Sequence, residues 1–174
     1  MSDVAKIVKI LSEKGWSFFH FTDTRNLPTI RQHGLLSMRT LRERSLIVAP
    51  GGNEWSLDAD KRSGMDAYVH LCFFDEHPME YVAKKDGRIS ETRFLKIAPS
   101  VIETPGTMIV DRVSNRADAW PRPAEEMVSQ LDLEVIYTRT DWKDAEIQKR
   151  LQAARRCEIL VPKSVPLTLI GNVD

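Results

Sequence analysis

The chain has 174 residues, with 25 basic and 25 acidic side chains, so its formal net charge at pH 7 is zero. This balance excludes a global positive field of the kind that a histone-like protein uses to hold nucleic acid. With 42% hydrophobic and 29% charged residues, the composition is typical of a water-soluble globular protein. The length predicts one domain over residues 1–174, large enough to bury its own core.

Neither a targeting segment nor a membrane anchor is expected from this sequence. The amino terminus lacks the basic start and apolar core of a secretory signal peptide, and no stretch approaches the roughly 20 apolar residues of a membrane-spanning helix. The two cysteines, Cys72 and Cys157, lie in apolar runs, without a Cys-x-x-Cys motif or histidines at zinc spacing. We therefore expect a cytoplasmic protein with no membrane attachment, free buried thiols and no metal.

The first part of the chain predicts a helix, a strand and a second helix. Apolar spacing predicts the helix over residues 3–14, and aromatic residues predict the strand over residues 17–21. Helix-capping and helix-ending residues stand at five positions: Gly15, Asp23, Asn26, Pro28 and Gly34. Residues 39–63 predict a long loop with a short helix near residues 57–62, and a loop of that length is often functional.

The rest of the chain predicts strands interleaved with short helices. Strands are predicted over five segments: 67–74, 94–97, 107–110, 157–161 and 167–173. The other segments are a loop at 111–123, a partly helical region at 124–137 and a helix at 144–156. This order favours an α+β fold over a doubly wound α/β fold. Because the sequence has no Gly-x-Gly-x-x-Gly or phosphate-loop motif, a bound dinucleotide would not be held as in a Rossmann fold.

His20 and Thr22 are the first candidate functional side chains. The alternation of a strand places them on one face, with Phe19 and Phe21 on the other. A histidine between phenylalanines is either a hydrogen-bonded imidazole of the core or a group that faces a ligand such as a ribose. The residues alone leave both interpretations open.

Glu158 is the second candidate, because a carboxylate in an apolar strand is unfavourable unless it is paired or used. It either pairs with Arg155 or Arg156 or faces a cleft. Beside a ribose, a carboxylate can align the 2′-hydroxyl, stabilise positive charge at the anomeric carbon and remove a proton from the incoming nucleophile. Tyr68 opens the strand at 67–74, where it could stack on a ligand ring or belong to the core.

Several segments of the chain, taken in order, match one known pattern. The most specific are FHFT at 19–22 with NLPTI at 26–30, and RRCEILV at 155–161. Between them, residues 66–81 contain a tyrosine strand that leads into a Pro-Met-x-Tyr turn. Together with weaker matches at 108–112 and 131–142, these blocks resemble the DarT-type DNA ADP-ribosyltransferases, toxins of DarT/DarG-like toxin–antitoxin pairs.

The resemblance implies an NAD-dependent ADP-ribosyltransferase with a split β-sheet core and peripheral helices, whose chemistry requires no metal. It implies that Glu158 is the catalytic carboxylate. It assigns contacts with NAD to four side chains: His20, Thr22, Asn26 and Tyr68. An active-site arginine is expected before the tyrosine strand, where Arg62 is the candidate.

Residues 111–142 correspond, in this resemblance, to the segment that recognises the target base. Its candidates for phosphate contacts and base stacking are Arg112, Arg116, Trp120 and Arg122. A solvated loop with an ordinary buried tryptophan explains the same residues. The resemblance further implies single-stranded DNA as the acceptor and a separate macrodomain antitoxin as the partner.

Two alternatives remain at the level of the sequence. The same fold could act on RNA, on a protein side chain or on an RNA 2′-phosphate, and the neutral net charge favours considering these acceptors. A protein that kept the cleft but lost the chemistry would be a non-catalytic NAD-binding module.

Overall fold

The computed structural model of the protein describes residues 1–50, 54–111 and 118–174. Among these residues, nine strands and eight α-helices are formed. The strands are β1 (Phe18–Asp23), β2 (Leu35–Leu36), β3 (Tyr68–Cys72), β4 (Thr92–Ile97), β5 (Met108–Val110), β6 (Arg122–Pro123), β7 (Glu158–Pro162), β8 (Ser164–Val165) and β9 (Ile170–Gly171). The helices are α1 (Asp3–Glu13), α2 (Leu27–His33), α3 (Met38–Glu43), α4 (Glu54–Ser63), α5 (Pro78–Lys85), α6 (Ala124–Met127), α7 (Leu133–Tyr137) and α8 (Ala145–Ala154).

Seven of these strands form one sheet, in the order β6-β5-β7-β3-β1-β4-β9, and β2 pairs with β8 in a separate ribbon. All the pairings are antiparallel. At the centre of the sheet, β1 pairs with β3 at one position, Phe19 with Cys72, whereas it pairs with β4 along all six residues. The two halves of the sheet therefore diverge between β1 and β3. This confirms the predicted α+β fold with a split sheet.

The core explains why β7 has an uninterrupted apolar sequence. Ile159, Leu160 and Val161 are all fully buried. Because successive side chains of a strand point to opposite faces, both faces of β7 are covered, while β3 and β5 pair with its two edges. On one face of the sheet, Phe18 of β1 meets Phe73 edge to face, with ring centroids 5.5 Å apart.

Residues 38–43 and 167–169 are two places where the structure corrects the predicted elements. Residues 38–43 form α3 where a loop was expected, and the Ser37 hydroxyl caps it by accepting a hydrogen bond from the Thr40 N–H. The helix has fewer than two turns, too short for its apolar spacing to be recognised. Near the end of the chain, residues 167–169 form a 3₁₀ turn, so only Ile170–Gly171 of the predicted last strand pairs with β4.

Two further expectations concern thiols and membranes. Both cysteines are free, but only Cys72 is buried, while Cys157 is partly exposed. Within the described part of the chain, every helix is too short or too polar to cross a bilayer.

Candidate active site

A cleft opens where β1 and β3 diverge, and residues from both halves of the fold line it. Its polar lining comes from β1, α4, β3 and the start of β7, and includes His20, Thr22, Asp60, Tyr68, His70 and Glu158. Its apolar side is formed by residues 46–50, here called the 46–50 wall. The predicted residues His20, Thr22, Asn26, Tyr68 and Glu158 all line this one cleft.

Glu158 lies at the floor of the cleft as the first residue of β7. In register it faces Cys72 of β3 and Val110 of β5, and it is 5% exposed. Of the two interpretations of Glu158, pairing with Arg155 is wrong: the Arg155 guanidinium lies 2.8 Å from Glu76, on the surface. The Glu158 carboxylate faces the cleft.

Two histidines hold the Glu158 carboxylate. His70 Nδ1 lies 3.6 Å from Oε2, and His77 Nε2 lies 3.4 Å from Oε1. The backbone N–H of Met79 donates to His77 Nδ1 at 3.2 Å, so the His77 proton is on Nε2, toward the carboxylate. Sequence reasoning missed both histidines, because nothing in their spacing showed that they converge on Glu158.

The surroundings of His70 favour its protonated form. Its Nε2 donates to the Met65 carbonyl at 3.0 Å, and Nδ1 lies 3.6 Å from the Glu158 carboxylate, close enough for charge attraction. Burial alone would lower the pKa of His70, but the hydrogen bond and charge of Glu158 raise it to about 9. Burial would likewise raise the pKa of Glu158, yet the two histidines hold this pKa below its ordinary value.

His20 bridges the two halves of the sheet. Its Nδ1–H donates to the His70 carbonyl oxygen at 2.8 Å, and the ring lines the cleft. Burial lowers the pKa of His20 to about 4, so the imidazole is neutral and its Nε2 is an acceptor. Both interpretations of this histidine therefore describe part of its role, since the ring is hydrogen-bonded and also faces the cleft.

Asn26 supports the wall of the cleft. Its Nδ2 donates to the Ala49 carbonyl at 2.8 Å and to the Thr22 hydroxyl at 3.1 Å, and its Oδ1 accepts from the Ala49 N–H at 3.0 Å. The expected capping of α2 by this side chain is wrong. Asn26 instead fixes the 46–50 wall to β1.

The comparisons with known proteins identify the family. Residues 19–174 match the family model described as "ssDNA thymidine ADP-ribosyltransferase, DarT". The chain belongs to the DarT family. This confirms the resemblance and the expected class of enzyme, an ADP-ribosyltransferase. None of the curated proteins compared with the chain matches it.

Solved DarT structures share the fold. Thermus sp. 2.9 DarT in complex with ADP-ribosylated ssDNA has a TM-score of 0.64 and 22% identity, over 88% of this chain and 78% of that one. For the same protein in complex with NAD+, the TM-score is 0.57 at 23% identity, with the same coverage. Thermosipho africanus DarTG in complex with ADP-ribose has a TM-score of 0.66 and 16% identity, over 90% of this chain and 43% of that one.

The structure places Arg62, the candidate active-site arginine from the sequence, away from the cleft. Arg62 is exposed and lies outside the cleft lining. On α4, Leu57 and Asp60 face the cleft, and two further residues turn the helix by about 200°, so Arg62 points away.

Two arginines of α3 do reach a cleft residue. Arg39 and Arg42 both donate to the carboxylate of Asp66, which is 3% exposed and lines the cleft. Sequence reasoning missed them because α3 was taken as part of a loop. Two cationic partners satisfy the buried carboxylate of Asp66 and tie α3 to the entry of β3.

The DNA-recognition candidates are described only in part. Arg112 and Arg116 lie outside the described residues. Trp120 is 79% exposed, which rules out a buried tryptophan, and the Arg122 guanidinium donates to Gln130 Oε1 at 3.2 Å. Neither of these two side chains lines the cleft.

Among the residues that the structure describes, no group of three or more His, Cys, Asp or Glu side chains could hold a metal ion.

Proposed function

We propose that this DarT-family protein transfers ADP-ribose from NAD+ to thymidine in single-stranded DNA, and that the chemistry takes place in the cleft between β1 and β3. The family's described activity supports the reaction. The structural neighbours, solved in complex with NAD+ and with ADP-ribosylated ssDNA, support the two substrates.

The observation that carries the proposal is the buried Glu158 carboxylate, which lines the cleft between His70 and His77. In a site from which water is largely excluded, a fixed negative charge stabilises the positive charge that develops at the anomeric carbon as nicotinamide leaves. Its oxygens can also align the 2′-hydroxyl of the nicotinamide ribose. His70 and His77 keep the carboxylate ionised and hold its orientation.

Other cleft residues fit the parts of NAD+. The neutral His20 ring offers Nε2 as an acceptor for a ribose hydroxyl. Tyr68 is half-buried in the lining, where its ring can stack on nicotinamide. The 46–50 wall offers an apolar surface to a flat ring, and Asn26 acts on NAD+ through that wall.

The reaction balances without another reactant. The bond between the anomeric carbon and the nicotinamide nitrogen breaks, and nicotinamide leaves with the bonding electron pair. A thymine nitrogen forms a new bond to the same carbon and loses its proton to a base in the site.

The acceptor segment supplies the proposed DNA contacts. Trp120 exposes its ring for stacking on a base, and Arg122 is placed two residues later on β6. We include Arg112 and Arg116 as phosphate contacts, on the basis of the sequence alone.

A toxin role follows as part of the proposal. We include in it a separate macrodomain partner that removes ADP-ribose, and both proteins would act in the cytoplasm. The similarity to Thermosipho africanus DarTG, solved in complex with ADP-ribose, supports an antitoxin partner.

Acceptor choice tests the proposal directly. The protein is incubated with NAD+ and one of three oligonucleotides: single-stranded DNA with thymidine, the same DNA without thymidine, and RNA. Mass spectrometry should show one ADP-ribose adduct on the first alone. Adducts on RNA or on the thymidine-free DNA would contradict the assigned acceptor, and NAD+ binding without any adduct would favour a non-catalytic module.

A further inference from the structure

A second pocket lies across α3 from the cleft. It has a volume of about 400 Å³, within the range of small-molecule sites. Met38 and Leu41 of α3 line the cleft. Arg39 and Glu43 of the same helix line the second pocket. Because each helical residue adds a rotation of about 100°, these two pairs lie on opposite sides of α3, so the pocket is separate from the proposed NAD+ site.

The lining of this pocket is mainly cationic. Arg39, Arg44 and Lys163 contribute to it, and Glu43 is its acidic member. Arg39 uses one nitrogen to donate to Asp66, which leaves its other N–H groups available. In the part of the chain that the structure describes, the side chains of Arg44 and Lys163 form neither a hydrogen bond nor an ion pair. Cations without a protein partner around a pocket favour an anionic ligand.

Lys163 is held in an unfavourable backbone conformation. It joins β7 to β8 with a φ of 66°, in the left-handed region that favours glycine. Its N–H donates to the Ala67 carbonyl at 2.9 Å, and its carbonyl accepts from the Ser37 N–H at 2.8 Å. Glycine could form both of these main-chain bonds with less strain. Since strained residues concentrate at functional sites, we infer that the side chain of Lys163 has a use, and that use lies in its exposed ammonium group.

The donors of the pocket suit a phosphate group. An arginine presents two parallel N–H groups to two phosphate oxygens, and a lysine adds a compact positive charge. The hydroxyl of Ser164, also in the lining, is a further donor. One water occupies about 30 Å³ of liquid, so a pocket of about 400 Å³ is larger than a single phosphate ion requires. It has room for the sugars on either side of a phosphodiester.

The pocket lies at a distance from Glu158 that a DNA strand can span. Lys163 follows Glu158 by five residues along β7, so at about 3.3 Å per residue their backbones lie roughly 17 Å apart. A single strand with stacked bases covers that distance in about five nucleotides, at about 3.4 Å each.

We propose that the second pocket binds a backbone phosphate of the acceptor strand, several nucleotides from the thymidine that is modified. The inference rests on the proposed function and deepens it, because it adds a contact for the same DNA substrate outside the cleft. Arg44 and Lys163 hold the phosphate, and Arg39 links this site to the cleft through Asp66.

Two variants that each remove a charge test the site, Lys163→Asn and Arg44→Gln. Asparagine tolerates the left-handed conformation, so Lys163→Asn keeps the turn between β7 and β8. The matched control is Lys96→Gln, because Lys96 is exposed on β4 and lines neither the pocket nor the cleft. Transfer assays measure KM for a thirteen-nucleotide strand and for a trinucleotide, each with thymidine at its centre. The trinucleotide is too short to reach from the cleft to the pocket.

We expect Lys163→Asn and Arg44→Gln each to raise KM for the long strand about fivefold or more. The KM for the trinucleotide, kcat and the NAD+ affinity from calorimetry should stay within about twofold of the wild type, because the cleft is unchanged. Fluorescence anisotropy of the long strand should show a slope of log Kd against log salt concentration that falls by about 0.7 for each charge removed. The melting temperature of Lys163→Asn should equal or exceed that of the wild type, and Lys96→Gln should match the wild type throughout.

Two results would overturn the assignment. If both variants keep the wild-type KM for the long strand, the pocket does not bind the acceptor, and calorimetry with inorganic phosphate then tells whether it binds free phosphate instead. If KM rises equally for both DNA lengths, the two cations act by general attraction and not through the pocket. A wild-type protein that forms no thymidine adduct would refute the proposed function itself. The anisotropy measurement would still test the pocket in that case, because binding of the long strand requires no transfer.

Discussion

Nδ1 of His70 lies 3.6 Å from Oε2 of Glu158, and the two side chains form a charged pair at the floor of the cleft. His70 also donates to Met65 through Nε2, so the pair is fixed from both sides. The positive charge of His70 beside the Glu158 carboxylate is the basis of the pH dependence expected of this protein.

Stability should depend on His70 above neutral pH. The pKa of His70 is raised from 6.5 to about 9 in the folded protein. The contribution of protonated His70 to the free energy of unfolding is therefore fully present below pH 6.5 and is lost as pH rises through 9. Urea unfolding at pH 6 and pH 9.5 should show a larger loss of unfolding free energy for the wild type than for His70→Gln. Equal losses in the two proteins would contradict a protonated His70.

The rate of ADP-ribose transfer should also depend on His70. His70→Gln removes one of the two side chains that hold Glu158, and we expect the transfer rate to fall by about 10²-fold. The alkaline limb of the wild-type profile, near pH 9, should vanish with it. His33→Gln, on α2 and outside the cleft lining, is the control and should leave both rate and profile unchanged.

Asn26 should affect NAD+ binding more than turnover. Asn26→Asp replaces the donor to the Ala49 carbonyl by a second acceptor and loosens the 46–50 wall. We expect KM for NAD+ to rise about tenfold, as for one lost hydrogen bond, with kcat within about twofold.

The matched control for this change is Asn172→Asp. Asn172 also joins a backbone N–H and a carbonyl, those of Lys96 and Phe94, but it lies outside the cleft lining. Its KM should equal that of the wild type. A fall in kcat with KM unchanged in Asn26→Asp would instead place Asn26 at the reacting atoms.

Trp120 should contribute to DNA binding without affecting NAD+. The Trp120 ring is 79% exposed. Because loss of one stacked base costs roughly 1–3 kcal/mol of binding free energy, Trp120→Ala should raise Kd for single-stranded DNA about tenfold or more. Fluorescence anisotropy with labelled DNA measures this. Tyr81→Ala removes another exposed aromatic ring, on α5 and outside both residues 111–142 and the cleft lining, and is the comparison. An equal effect of both substitutions would argue against a specific stacking role for Trp120.

The sequence allowed prediction of the features that depend on one segment. The resemblance to a known family implied the split sheet. The presence of His20 and Glu158 in one cleft could be expected, because each residue interrupts an apolar strand and so required a polar explanation. The neighbours of Glu158 could not be predicted, because His70 and His77 reach it only through the packing of β3 against β7 and the entry of α5.

The errors have similar physical causes. Arg62 was chosen by its position before the tyrosine strand, but the helical rotation of α4 turns Asp60 rather than Arg62 into the cleft. Asn26 carries a capping side chain, yet a tertiary contact with Ala49 takes its hydrogen bonds. In both cases the three-dimensional partner, and not the local pattern, decided the role.

The most direct test of the central claim compares Glu158→Gln with Glu76→Gln in transfer of ADP-ribose from NAD+ to thymidine-containing single-stranded DNA. Gln keeps the size of the side chain and removes its charge, and Glu76 is an exposed partner of Arg155. We expect Glu158→Gln to lose at least about 10²-fold in kcat while it still binds NAD+, and Glu76→Gln to remain fully active. Wild-type turnover by Glu158→Gln would contradict the account.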